Sequence, residues 1–178
     1  MISTIARTAV VGTVIGAAAL MTVSTANAAP RTPWGTSQEI VNAFPELLPA
    51  SPSSTGYHGA SCEALPNPDA DTGAKVGITC IDDDSVYLDI YAYNRAAEIV
   101  DVLAGIDLGE GNTSTLEDGS SYTSYELQDS SEGAVVFVTF EARDLSKYLM
   151  VVAKEGATYE EIATIWGADA PIVASDVA

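Results

Sequence analysis

Histidine and basic residues are scarce in this chain of 178 residues. His58 is the only histidine, and seven lysines and arginines stand against 25 aspartates and glutamates, so the formal net charge is −18. A surface of this charge repels nucleic acid and anionic lipid, and neither is expected as a partner. Ser-His-Asp and Cys-His enzymes need a histidine as base, and no strand-to-helix elbow surrounds His58. We therefore predict no catalytic residue.

Cysteine is also scarce, since Cys62 and Cys80 are the only two. Zinc prefers four ligands in structural sites, and His58 with both cysteines supplies three at most. A catalytic redox pair usually has Cys-x-x-Cys spacing, which this pair lacks. Two cysteines in an exported chain favour a disulfide, and closing a loop of this size contributes about 3 kcal/mol in the chain-entropy model. We predict a structural disulfide.

The longest apolar run is too short to span a membrane. It extends from Ala9 to Met21, follows Arg7, and precedes Ala26-Asn27-Ala28, which has the form of a cleavage site. About 13 apolar residues fall short of the ~20 that a transmembrane helix needs. We expect residues 1–28 to be a signal peptide and the mature protein to be secreted to the cell envelope, without a stable membrane anchor.

No acidic motif has the complete spacing of a known calcium site. Asn67-Pro-Asp69-Ala-Asp71 begins like an EF-hand loop, but Thr72 occupies the glycine position and Ile78 that of the bidentate glutamate. Asp82-Asp83-Asp84 is interpreted as a solvated hairpin turn. We therefore predict no metal site and no cofactor.

Hydrophobic periodicity predicts a single α+β domain. Alternating polarity indicates five strands, and capping residues indicate three helices. The expected order is α-β-β-α-β-β-β-α, with the helices on one side of a largely antiparallel sheet. The strands are expected at residues 76–80, 86–92, 122–127, 134–141 and 148–153, and the helices begin at Thr36, Asn94 and Thr158, the last two ending at Gly105 and Gly167.

The composition of the other segments sets the predicted domain limits. Residues 29–35 form a lead-in, residues 36–167 the domain, and residues 168–178 a loose tail. Residues 49–73 are rich in Pro, Ser, Gly and Asp and are interpreted as a long connection. Residues 106–121 are rich in Gly, Ser, Thr and acids and are interpreted as a mobile loop.

The second predicted strand carries tyrosines on one face. Tyr87, Tyr91 and Tyr93 alternate with the apolar residues of the opposite face. They can form an aromatic binding platform, pack beneath another element, or simply reflect the β-propensity of tyrosine. The sequence-based hypothesis for ligand binding is Tyr87, Tyr91 and Tyr93, together with the loop 106–121.

Several turn, cysteine and strand motifs run through the middle of the chain: Leu47-Leu48-Pro49, Gly56-Tyr57, Cys62, Ala74-Lys75-Val76 and Thr79-Cys80. This pattern resembles a group of small exported actinobacterial domains, which occur as secreted proteins, as lipoproteins and as extracytoplasmic parts of membrane serine/threonine kinases. The second cysteine pair that many of these domains carry is absent here. The resemblance implies a sensing or binding role at the envelope and carries over no catalytic residue.

The favoured functional hypothesis is a secreted, non-enzymatic binding or sensor-like domain of the bacterial cell envelope. One alternative is a carboxylate-based hydrolase of envelope polymer, which needs two carboxylates across a cleft. Another is an acidic inhibitor or effector that docks a basic partner. The protein is expected to be a monomer whose partner is an envelope ligand or protein.

Overall fold

The computed structural model describes residues 33–68, 72–116, 119–127, 133–167 and 170–172. The predicted signal peptide lies outside the described residues, as do most of the predicted tail and part of the EF-hand-like motif. The strands are β1 Ser61–Leu65, β2 Val76–Ile81, β3 Tyr87–Ala92, β4 Asn112–Thr115, β5 Ser121–Glu126, β6 Gly133–Phe140 and β7 Tyr148–Glu155, and the helices are α1 Gln38–Ala43, α2 Ala96–Leu103 and α3 Tyr159–Ile162.

The seven described strands form one sheet in the order β1-β2-β3-β7-β6-β5-β4, and every neighbouring pair is antiparallel. The α+β class, the antiparallel sheet and the three helices predicted from the sequence are therefore confirmed. The predicted number of strands is wrong, because β1 lies within the expected connection 49–73 and β4 within the expected loop 106–121. Both additional strands are edge strands.

One face of the sheet carries the main core, beneath α1 and α3. Even-numbered residues of the strands point to this face, and Ile78, Ile90 and Met150 are fully buried there. Phe44, which follows α1, packs its ring 5.4 Å from Phe140 and is also buried. The apolar face of each of these two helices thus packs on the apolar face of the sheet.

The opposite face is partly covered by α2. Ile99 of α2 is buried in a second cluster with Tyr93 and Leu149, and Phe137 and Val151 pack against this cluster. The prediction that all helices lie on one side of the sheet is therefore wrong. The apolar residues on both faces of β6 and β7 are explained by this arrangement, since helices pack against the sheet from both sides.

Two of the three helices do not begin at the capping residue that the sequence predicts. Thr158 forms the predicted capping box, since its hydroxyl accepts the backbone N–H of Glu161 while the Glu161 carboxylate accepts the N–H of Thr158. The predicted box at Thr36 is wrong, because α1 begins at Gln38 after a 3-10 turn and has no side-chain cap. The predicted cap Asn94 is also wrong: its backbone N–H donates to the Glu98 carboxylate, 3.0 Å away, and α2 begins at Ala96.

The helix α2 also ends differently from the prediction. Its last residue is Leu103, and Gly105 donates its N–H to the carbonyl of Val102. The backbone of Gly105 does not have the positive φ of a left-handed cap. The predicted left-handed cap at this glycine is therefore wrong.

The predicted disulfide is confirmed and fastens the first edge strand to its neighbour. Cys62 of β1 and Cys80 of β2 are bonded and are directly opposite each other in the strand register. Among the described residues, no helix is long and apolar enough to cross a membrane.

Candidate functional site

The structure separates the three tyrosines that the sequence placed on one face. Tyr87 is 50% exposed, whereas Tyr93 is only 3% exposed. Tyr91 is half-buried; its ring lies against Gly77 of β2 and its hydroxyl donates to the Asp89 carboxylate over 3.2 Å. Of the three tyrosines, Tyr87 is therefore the one with a large accessible surface.

Tyr93 has a structural environment. Its hydroxyl donates to the backbone carbonyl of Thr72 over 3.0 Å, and its ring packs in the cluster beneath α2. Burial raises the pKa of the Tyr93 phenol, and the nearby Glu98 carboxylate raises it further. The phenol, which is already neutral at physiological pH, therefore keeps its donating proton to a higher pH than an exposed tyrosine does.

Tyr87 lies in an open row of apolar residues across the sheet. It pairs with Ile81 on one side, which is 40% exposed, and with Ala153 on the other, which is half-buried. The next row toward the middle of the sheet contains Glu63 and Asp89, which flank Thr79 in the register. We call Ile81, Tyr87, Ala153, Glu63 and Asp89 the Tyr87 patch.

The Tyr87 patch continues into a concavity at the β1 edge of the sheet. The concavity has a volume of about 520 Å³ and is lined by residues of β1 and β2, by Tyr87 and by Pro52 of the preceding connection. Apolar groups and a few polar groups thus meet in one open depression, which is the usual composition of a binding site.

The charge of this face is acidic. The described strand residues that point to the same face as Tyr87 include no lysine or arginine, whereas Glu63, Asp89 and Glu155 all point to it. The two acidic residues of the patch lie one row from the aromatic ring. A ligand on this face therefore meets an apolar surface bordered by negative charge.

The structure does not bring the loop 106–121 to Tyr87. Its strand β4 occupies the other edge of the sheet, and three strands stand between β4 and β3. The two parts of the contact surface expected from the sequence thus belong to different regions of the molecule.

His58 lies beside the acidic turn between β2 and β3. Its imidazole stacks on the ring of Tyr57 at 3.9 Å, and its Nδ1 is 3.8 Å from Oδ2 of Asp82. Cys62 is bonded to Cys80 and is not available as a nucleophile beside this imidazole. The arrangement therefore does not form a Cys-His pair.

Asp82 is buried, so the prediction of a fully solvated acidic turn is wrong at this residue. Its side chain is 3% exposed, and its Oδ1 accepts the backbone N–H groups of Asp84 at 2.9 Å and Val86 at 2.8 Å. The approach of His58 follows from the disulfide, because antiparallel pairing of Cys62 with Cys80 places the residues before Cys62 opposite those after Cys80. The two cysteines are therefore the signal in the sequence from which the approach of His58 to Asp82 can be inferred.

No protein-family profile matches the chain, and no curated protein or solved structure matches it either.

Proposed function

We propose that the protein is a secreted, non-enzymatic binding domain of the bacterial cell envelope, and that it holds a positively charged, partly apolar partner on the Tyr87 patch. The observation that carries the proposal is the exposed pair Ile81 and Tyr87 beside the carboxylates Glu63 and Asp89. An accessible apolar surface bordered by charge of one sign is typical of a recognition site.

The chemistry of the patch favours a basic polypeptide segment. The ring of Tyr87 offers an apolar surface and a π-face that attracts cations. Residues i and i+2 of an extended segment point to the same side about 7 Å apart, which is also the spacing between neighbouring rows of the sheet. A segment that alternates apolar and basic residues at this spacing therefore places its apolar side chains on the row of Tyr87 and its basic side chains on the row of Glu63 and Asp89.

The location of the partner is proposed on two grounds, one from the disulfide in the structure and one from the sequence. A disulfide is formed between Cys62 and Cys80, and disulfides persist in oxidising compartments. The alanine-rich N-terminal segment has the pattern of a signal peptide, and the motif pattern resembles exported actinobacterial domains. Both favour a partner outside the cytoplasm, in the envelope or attached to it.

The test measures binding of a labelled peptide with the repeat Leu-Ser-Lys-Ser by fluorescence anisotropy. A second peptide with Glu in place of Lys is the charge control. We expect saturable binding of the lysine peptide and at least about tenfold weaker affinity for Tyr87→Ala, because exposed aromatic anchors dominate such contacts. The matched variant is Val100→Ala, which trims a 66% exposed residue of α2 and should leave the affinity unchanged.

Two results would contradict the proposed surface. One is equal affinity for the lysine and glutamate peptides, which removes the electrostatic argument. The other is an equal effect of Tyr87→Ala and Val100→Ala, which shows that the peptide binds elsewhere. Thermal unfolding of both variants checks that each is folded under the conditions of the titration.

A further inference from the structure

We propose that His58, Asp82 and Asp84 form a binding site for a divalent transition-metal cation, with zinc as the best-matched ion. Ligand atoms of these three residues lie within 4.8 Å of one another. The site is distinct from the Tyr87 patch and shares no residue with it. It also differs from the sequence-based expectation, which assigned no metal ligand.

The first support is a pair of buried atoms that the fold leaves without hydrogen bonds. The side chain of Asp82 is 3% exposed, and neither its Oδ2 nor Nδ1 of His58 has a hydrogen-bonding partner among the described residues. The two atoms are 3.8 Å apart, which is too far for a hydrogen bond and suits two ligands of one cation. Buried polar atoms are nearly always satisfied, so an unsatisfied pair that faces each other is arranged to share a cation.

The second support is the way the surrounding chain fixes the two ligands. Oδ1 of Asp82 is held by two backbone N–H groups, which leaves Oδ2 directed at His58. Hydrogen bonds of this kind commonly orient metal ligands. The carbonyl of His58 accepts the N–H of Asp83 over 3.2 Å, and a side chain at Gly59 would collide with the Asp83 carboxylate. The turn that contains His58 and the turn that contains Asp82 and Asp83 are therefore held together by the protein itself, with or without an ion.

The ligand set distinguishes between cations. One imidazole nitrogen and two carboxylates suit zinc and similar transition metals, and three protein ligands leave a position for water. Calcium prefers six to eight oxygen ligands, which this cluster does not provide. Lys154 reaches the same turn, where its ammonium donates to the backbone carbonyl of Asp84 over 2.8 Å; this hydrogen bond leaves the Asp84 carboxylate available to a cation.

The test is calorimetric titration of zinc chloride into the untagged full-length protein. We expect about one zinc per chain, and no saturable heat with calcium chloride at the same concentration. Asp82→Asn and His58→Asn should each weaken the zinc affinity at least tenfold. Asn retains the Oδ1 acceptor of Asp82, and it tolerates the positive φ of 50° at His58, so both variants preserve the turns.

The matched control is Asp101→Asn, which removes the same charge from an exposed position on α2 and should leave zinc binding unchanged. An equal loss in Asp101→Asn would show non-specific binding to an acidic surface and overturn the proposal. Absence of saturable zinc binding would also overturn it. Tyr87→Ala should retain zinc affinity, so this site and the peptide surface can fail separately.

Discussion

Glu39 joins three separate parts of the chain through its side chain. One carboxylate oxygen is 2.7 Å from Nζ of Lys75, before β2, and the other is 3.0 Å from Nζ of Lys147, before β7. Burial alone would raise the pKa of Glu39, but the hydrogen bonds and charges of the two lysines lower it overall. The hydrogen bond to Glu39 raises the pKa of Lys147 in turn. The group thus ties α1 to two strands.

Replacing this carboxylate should make the stability less dependent on pH. Glu39→Gln is expected to lower the free energy of unfolding by about 1 kcal/mol near neutral pH. Because the pKa is lowered in the folded state, the contribution is present above the unfolded-state value of about 4.3 and is lost as the pH falls through the folded-state value. Urea unfolding at neutral and acidic pH should show the difference from wild type shrinking as the pH falls.

The control for this series is Glu110→Gln, which changes an exposed glutamate in the segment before β4. It should leave the free energy of unfolding nearly unchanged at each pH. A difference between wild type and Glu39→Gln that stays constant down to acidic pH would contradict the assigned ion pairs.

At the scale of elements, β1 depends on its disulfide more than on its own sequence. It is a five-residue edge strand, and Cys62 is its most buried residue. A short edge strand with one buried residue gains little from packing, so the covalent bond to β2 supplies much of what holds it in place.

Removing the bond by the double variant Cys62→Ser, Cys80→Ser should lower the free energy of unfolding by about 3 kcal/mol. The zinc affinity should fall as well, because β1 holds the turn of His58 against the turn of Asp82. Urea unfolding and zinc titration measure the two effects, and thiol titration of the wild-type protein should find no free thiol. Two free thiols in the wild-type protein would contradict the disulfide.

The elements that the sequence predicts well are those with an apolar face. Five strands and three helices lie near their expected positions, and β6 has the clearest pattern, in which buried and half-buried residues alternate along the whole strand. The strand β4 has no buried residue and is held by backbone pairing with β5 and by the Thr113 and Thr123 hydroxyls, 3.0 Å apart. Such a strand leaves no hydrophobic pattern in the sequence.

The candidate sites were harder to predict because one depends on which part of the sheet a helix covers and the other depends on how two strands are paired. The alternation at Tyr87, Tyr91 and Tyr93 places them toward one side, but the sequence does not indicate that α2 buries Tyr93 and leaves Tyr87 accessible. The contact between His58 and Asp82 also requires the strand register, which joins residues far apart in sequence. Tertiary packing therefore decides both sites.

At the scale of the whole molecule, charge and fold favour the same kind of partner. The chain has a net charge of −18, which attracts basic ligands over a distance and is screened by salt. Among the described residues, α2 packs near the middle strands on one face of the sheet and does not cover the β1 side, where Ile81 and Tyr87 are exposed. A basic segment is thus drawn to the molecule by its overall charge and positioned by the Tyr87 patch.

The most direct test of the proposed surface is amide chemical-shift mapping of the ¹⁵N-labelled protein during titration with the Leu-Ser-Lys-Ser peptide. The account predicts that the largest shifts occur in β1, β2 and β3 around Ile81 and Tyr87, with small shifts in α2 and β4. It also predicts that the shifts diminish at high salt, because part of the attraction is electrostatic. Largest shifts in α2 or β4, or no shifts at a saturating peptide concentration, would contradict it.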